Sequence, residues 1–384
     1  MARDRFAVNP FPEVPVSEDQ RQQLIDLVNG FVDDYFQKYE EFVVANKQQV
    51  DEQRWKHVKS KDNFHMYTER IRQNGETGGE ATAKDLPVML GAGTFVGQVD
   101  DLMFGVVNPT VDIMRIKASY VHDLDSAAVL CPVVEPSEDE PFRSVVIKWM
   151  TIDLPLQSTN LVKSRDFVYI EATGILHFAN GDRVGYHLLH SIDFPQTKPL
   201  PNKIRSKFSV VGFFRQITDN VIDCFASGTV DPGGKMARFL VTQVAAEAIL
   251  SATNYVYCGQ MKKLSWMLQR RHSALDRQGR TLNKDECVAC SKKTTGPIGG
   301  IGCSTCKLCY GCVCYRCKIR KRISFIALDG KLIQRKIAFC AKCVSEATKC
   351  DAKDAARDQA TGYAAYNTFQ TSSQSDTSEA SMFG

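Results

Sequence analysis

Ten of the chain's fourteen cysteines fall between positions 287 and 343, and eight of those ten can be set in C-x2-C pairs. The pairs are Cys287/Cys290, Cys306/Cys309, Cys314/Cys317 and Cys340/Cys343. One tight turn of this kind presents two sulfurs to a single ion, and zinc takes four thiolate or imidazole ligands in a tetrahedron, so four pairs make two zinc sites. Two further cysteines, Cys303 and Cys312, complicate the register. Pairing Cys303 with Cys306 strands Cys309 or drives it to Cys312, leaving a single residue before Cys314. The four pairs above avoid this, with Cys303 or Cys312 as substitute ligands. No histidine follows His272, so imidazole is absent from the set. The bland alternative is a group of inert buried thiols.

What must carry this module is bounded by the bulk properties. At 384 residues the chain can hold a full-sized domain and a smaller one. Its 43% hydrophobic and 24% charged content is that of ordinary globular proteins. The opening MARDRFAVNP lacks the apolar core of a secretory signal and the second-position glycine of a myristoylation site. No run of about 18 apolar residues offers a membrane span. An intracellular, cytoplasmic protein is expected, and in a reducing compartment such cysteines serve as metal ligands or buried small residues, not disulfides. Charge is uneven: residues 280–350 carry 15 Lys/Arg against 4 Asp/Glu, a local +11 within a total of +4, so the remainder is −7. A basic module of this sort suits an anionic partner such as an acidic membrane surface or nucleic acid.

Ahead of the cysteines, Ser17 with Gln20 forms a capping-box pattern, and Leu24, Leu27, Val28, Phe31, Tyr35, Tyr39 and Phe42 recur at helical spacing. Trp55–Val58, a Lys61-Asp62-Asn63 turn and FHMYTERI read as a hairpin. LPVMLGAG reads as a strand, Thr94 as the cap of a helix through FVGQVDDLMFGVV, and Pro109 as the start of another through IMRIKASYV. About six β-rich segments follow, from AAVLCPVV to VIDCFASGTVD, and after Pro232-Gly233-Gly234 one long helix runs to about Arg271. Residues 271–286 read as a polar linker and 351–384 as a disordered Ser/Thr-rich tail. A curved antiparallel sheet wrapped around a long terminal helix leaves an apolar space between them.

That element order, over roughly residues 20–270, resembles the START lipid-transfer domain, with LPLQSTNLVKSRDFVYIEATG (154–174) and its Arg165-Asp166-Phe167 as the local match. The resemblance implies an α+β helix-grip fold with a cavity for one lipid or sterol, the cavity ligand itself being unknown. The cysteine module, with four residues between its second and third knuckles, resembles FYVE fingers of the FYVE/PHD type. FYVE topology implies crossed pairing: Cys287, Cys290, Cys314 and Cys317 on one zinc, Cys306, Cys309, Cys340 and Cys343 on the other. FYVE fingers that grip phosphatidylinositol 3-phosphate have an Arg/His-rich run, a Trp-x-x-Asp and an Arg-Val-Cys where this chain has IGCSTCKLC, TLNKDEC and KIAFCAKC, so those donors are missing. Lys318, Arg320, Lys321 and Arg322 remain as headgroup candidates, together with Lys331, Arg335 and Lys336, provided they share one face.

Three other features carry less. GAGTFVG has Val96 where a G-x-G-x-x-G loop needs its third glycine, so a turn before a helix is expected. His187 and His190, three apart on a strand, face opposite sides and share neither metal nor proton. FASGT around Ser227 lacks the nucleophile elbow, and no paired carboxylate or nucleophile–base set stands out. The expected organisation is an N-terminal segment 1–16, a START-like domain 17–270, a linker 271–286, a finger 287–350 and a tail 351–384. The expected protein is non-enzymatic and membrane-associated, holding a lipid or sterol and two zinc ions, peripheral on endosomal or other acidic membranes. The alternative is an interaction scaffold with a filled core. Nucleic acid is disfavoured because Tyr310 and Tyr315 make a poor stacking surface.

Overall fold

The structure is a computed structural model and describes residues 9–70, 86–121, 126–152, 163–234, 236–275, 286–293, 304–327 and 329–361. The chain divides into two compact units, Met1–Val256 and Tyr257–Gly384. In the first, Ser17 caps helix α1 (Glu18–Val44): its hydroxyl accepts from the Gln20 amide at 3.2 Å while the Gln20 side chain accepts from the Ser17 amide at 3.0 Å. This reciprocal pair satisfies two otherwise orphaned N–H groups.

Strands β1 (Trp55–Lys61), β2 (Phe64–Glu69) and β3 (Val88–Val96) follow, then helices α2 (Val99–Val106) and α3 (Val111–Val121). Next come β4 (Ser126–Val134), β5 (Ser144–Ile152), β6 (Ser164–His177), β7 (Arg183–Ser191), β8 (Lys203–Arg205), β9 (Lys207–Thr218) and β10 (Val221–Asp231). They form one ten-stranded sheet in the order β1-β2-β3-β10-β9-β7-β6-β5-β4, antiparallel throughout except for the short parallel pairing of β8 with β6.

Thr94 is not a helix cap. It lies within β3, paired with Asp223, and α2 begins five residues later, behind Gln98. The GAGTFVG glycines serve the sheet, for a Cβ on Gly93, whose φ is +148°, would stand 1.9 Å from the Asn63 carbonyl oxygen. The long terminal helix is also broken. Helix α4 (Arg238–Leu250) passes through a 3-10 turn at Ser251–Asn254 before α5 (Tyr255–Leu275). There the hydroxyls of Ser251 and Thr253 donate back to the Ala248 and Leu250 carbonyls, at 2.6 and 2.8 Å, which competes with regular helix geometry.

The central strands are buried on both faces, and their period of two sorts side chains between two environments. Along β6, Val168, Ile170 and Ala172 join the cluster that α1 covers, where Tyr39 stacks on Phe213 with centroids 5.3 Å apart and donates its hydroxyl to Asp223 at 2.6 Å. Arg165, Phe167, Tyr169 and Glu171 point the other way, into a space closed by α4. Layered helix, sheet and helix define an α+β helix-grip architecture.

In the second unit, β11 (Ser304–Thr305) pairs β12 (Cys312–Val313), and β13 (Lys318–Ile326) pairs β14 (Leu332–Cys340), followed by α6 (Ala341–Lys349) and α7 (Ala352–Ala360). Two expectations change here. The boundary falls ahead of residue 270, because α5 binds the C-terminal helices: Lys263 Nζ donates to the carbonyls of Thr348 (3.2 Å) and Cys350 (2.8 Å), and the Trp266 indole donates to Asp358 at 2.7 Å. A buried ammonium on the last carbonyls of α6 complements its dipole. The tail begins with structure, since α7 is capped by the Asp351 carboxylate, which accepts from the Lys353 amide. Residues 362–384 and Cys303 lie outside the described residues, as does the 154–162 part of the START-like match.

Candidate functional site: an apolar cavity and two cysteine tetrads

Between the sheet and α4 lies a cavity of ≈170 Å³. Its walls are mostly apolar, with Phe167, Tyr169, Phe208 and Phe214 from the sheet and Val241, Ala245 and Ala248 from α4. Sequence reasoning missed the polar cluster in its wall. Glu171 on β6 accepts from His187 Nε2 of β7 at 2.6 Å and from Asn108 Nδ2 at 3.1 Å. It also pairs with Lys148 of β5, and with Lys117 of α3 at 3.5 Å. Lys148 further donates to the Asn108 carbonyl oxygen at 2.7 Å. All five are buried. The Tyr255 ring closes the group, 5.3 Å from the Lys117 ammonium and edge-on to His187.

Burial alone would raise the Glu171 carboxyl, but Lys148 and Lys117, then His187, hold it well below the ordinary carboxylate range. Burial pushes His187 below 6.5, against the pull of Glu171. Below 6.5 the unfolded imidazole takes up a proton that the native one refuses, so stability falls as pH drops through that value. Loss from the depressed Glu171 joins only as pH falls below 4.5. The melting temperature is expected to decline from about pH 7 to pH 5, and His187→Gln, which keeps a donor to Glu171, to remove most of that slope. His190 faces the other side, as its spacing requires, its ring tilted against Phe31 with centroids 3.9 Å apart and meeting Ser209 at 3.0 Å.

In the second unit the cysteines gather into two groups, Cys287, Cys290, Cys314 and Cys317, and Cys306, Cys309, Cys340 and Cys343, with the sulfurs of each group within 4.8 Å of one another. No disulfide joins the described cysteines. The Cys290–Cys314 and Cys309–Cys340 sulfurs are each 3.9 Å apart, close to the edge of about 3.8 Å that a tetrahedron of Zn–S bonds near 2.3 Å requires. Backbone amides of Cys314, Cys340 and Cys343 donate to the sulfurs of Cys287, Cys306 and Cys340, at 3.3–3.4 Å, which favours thiolates. Cys340 is also the N-cap of α6. Four soft sulfur donors at this spacing fit zinc. Cys312 is buried and stands outside both groups.

The pleat separates the headgroup candidates. Lys318, Arg320 and Arg322 share one face of β13 with Lys336, which stands opposite Arg322 on β14. Lys321 and Arg335 are on the reverse face, with the Lys321 ammonium 5.6 Å from the Tyr257 ring, and Lys331 is held by Asp329 at 2.6 Å.

Sheet order, covering helices and cavity make the first unit START-like. No protein-family profile matches the chain, and no curated protein matches it. Among solved structures it is similar to human StAR-related lipid transfer protein 5, at 9% identity over 62% of this chain and 98% of that one, with a TM-score of 0.44. Human STARD10 is matched at 10% identity over 70% and 88%, TM-score 0.41. A STAR-related lipid transfer protein fragment from Xanthomonas axonopodis is matched at 14% over 54% and 99%, TM-score 0.37. These likenesses are loose, and it is the cavity and its residues that bear on function. No helix among the described residues is long and apolar enough to cross a membrane.

Proposed function

We propose that the chain is a non-enzymatic lipid-binding protein that takes one lipid or sterol into the cavity of its first unit. The carrying observation is the apolar cavity itself, walled by Phe167, Phe208 and Phe214 on the sheet and by Ala245 and Ala248 on α4. Apolar space of this kind, with a few fixed polar groups, is what hydrophobic ligands occupy. It speaks against the filled core of a pure interaction scaffold. Saturable 1:1 binding of a fluorescent sterol or fatty acid tests the reading. Ala245→Leu should fill space vacated by the ligand, weakening binding about tenfold while leaving stability equal or higher by roughly 0.5–2 kcal/mol. Unchanged binding in that variant counts against the cavity.

The second unit we read as a FYVE-related finger holding two zinc ions, one on each tetrad, and biasing the protein toward acidic membranes. Support comes from the face bearing Arg320, Arg322 and Lys336, where Arg322 and Lys336 are directly opposed like charges. Such a pair is unfavourable in a sheet without an anion beside it. Tyr315, 74% exposed, lies next to this face with the Lys318 ammonium 5.7 Å from its ring. Flotation with phosphatidylserine vesicles, with and without phosphatidylinositol 3-phosphate, checks it. Arg320→Glu with Arg322→Glu should abolish flotation, and Lys321→Glu should weaken it less, because Lys321 is on the reverse face.

A further inference from the structure

The cavity wall carries one cation, Arg165, with no carboxylate partner among the described residues. Arg165 is 4% exposed and lines the cavity wall on β6. Its Nε donates to the Pro232 carbonyl at 3.3 Å and its Nη1 to the Lys163 carbonyl at 2.5 Å. Neutral carbonyl oxygens accept hydrogen bonds but cannot balance a charge, and a guanidinium stays protonated in proteins. Burial pushes its pKa downward.

Among the described residues, the neighbouring acids make other contacts. Asp166, the next residue, faces the opposite side of the strand and accepts from Arg205 at 3.0 Å and from the Trp149 indole at 3.0 Å. Asp231 accepts from the Gly233 amide at 2.9 Å. The Glu171 cluster is arranged otherwise, since there Lys148 and Lys117 have their carboxylate. Buried charges are ordinarily paired, so an Arg held only by neutral carbonyls among the described residues, in the wall of an apolar cavity, is a place where a ligand could supply the missing charge.

We propose that Arg165 is the anion-recognition residue of the cavity, holding the carboxylate or phosphate of an amphiphile whose apolar body lies along Phe167, Phe208 and Tyr169. Those rings are contiguous, with Phe208 4.8 Å from Phe167 and 5.4 Å from Tyr169. From Arg165 to Glu171 the same strand face runs roughly 20 Å at about 3.3 Å per residue, the direction along which an extended apolar chain would lie. A planar guanidinium matches either oxyanion in bidentate fashion.

The assignment rests on the lipid-cavity reading, and the test separates the two. Four probes are offered to the full chain, to Arg165→Met and to Arg165→Lys: oleate, oleyl alcohol, dioleoyl phosphatidic acid and dioleoylglycerol. The wild type should prefer an anionic probe over its uncharged counterpart by about tenfold or more, and Arg165→Met should lose that margin while binding the uncharged probe within about twofold. Arg165→Lys should retain part of it. Preference for oleate identifies a carboxylate ligand, and preference for phosphatidic acid a phosphate. Should Arg165→Met not fold, the wild-type margin and the Lys variant carry the test. Equal affinity for charged and uncharged probes, or equal loss of both in Arg165→Met, overturns the anion assignment while leaving the lipid reading intact. Rejection of all four probes overturns both.

Discussion

Stripping the metal from the cysteine unit should unfold it. With a strong chelator, two equivalents of zinc are expected to leave per chain and the amides of β13 and β14 to lose their protection from hydrogen exchange. Structural zinc supplies an apparent free energy of about 10–16 kcal/mol at neutral pH, as much as or more than the roughly 5–15 kcal/mol that stabilises a whole domain. Cys340→Ser should come close to the same result. Cys340 belongs to the second tetrad, accepts from the Cys343 amide as the N-cap of α6, and donates its own amide N–H to the Cys306 sulfur. Cys312→Ser, outside both tetrads, should keep both ions. Metal content by elemental mass spectrometry, read beside the exchange data, decides the matter: a chelated chain with unchanged protection means that the thiols are merely buried.

The second large effect belongs to the cavity wall. Lys148→Met should destabilise the first unit by about 3–5 kcal/mol, the usual result of removing one partner of a buried ion pair. Lys148 is 1% exposed and bonds to Glu171 and to both oxygens of Asn108, so its loss leaves a carboxylate and a carbonyl short of a donor at once. Glu171→Leu alone should be comparably harmful, because it strands two ammonium groups. The double variant should lose distinctly less than the sum of the two, a coupling of roughly 2 kcal/mol or more by denaturant unfolding. Strict additivity would mean that the lysine and the glutamate do not act as a pair.

How much of this could be seen beforehand depended on distance along the chain. The C-x2-C knuckles and the Ser17 capping box are local patterns, so spacing alone revealed them, and the tetrads assemble from the pairs that spacing picks out. The polar cluster was hidden because Asn108, Lys117, Lys148, Glu171 and His187 come from separate elements and meet only when the sheet forms. Strands buried on both faces read as continuous apolar runs, so nothing in β6 says which alternate residues meet α1 and which meet the cavity. Arg165 stood out only as part of an Arg-Asp-Phe pattern. That its side chain and that of Asp166 part to opposite faces, one held by carbonyl oxygens and the other paired with Arg205, is a matter of register.

Two misreadings have the same kind of cause. Helix α7 has the polar, alanine-rich composition of a tail, and it is ordered by distant partners, with Asp358 accepting from Trp266 and, at 3.3 Å, from Arg270. The condition that the run Lys318–Arg322 share one face fails at Lys321, which the pleat turns away from its neighbours.

The most direct test of the central claim is native mass spectrometry of the full chain purified from cells, followed by solvent extraction. The lipid-cavity reading predicts a species heavier than the apo mass by two zinc ions and one lipid, with the lipid recovered at close to one per chain and at a lower occupancy from Ala245→Leu. A chain that arrives empty and takes up no fatty acid, phospholipid or sterol when offered each in turn would contradict it.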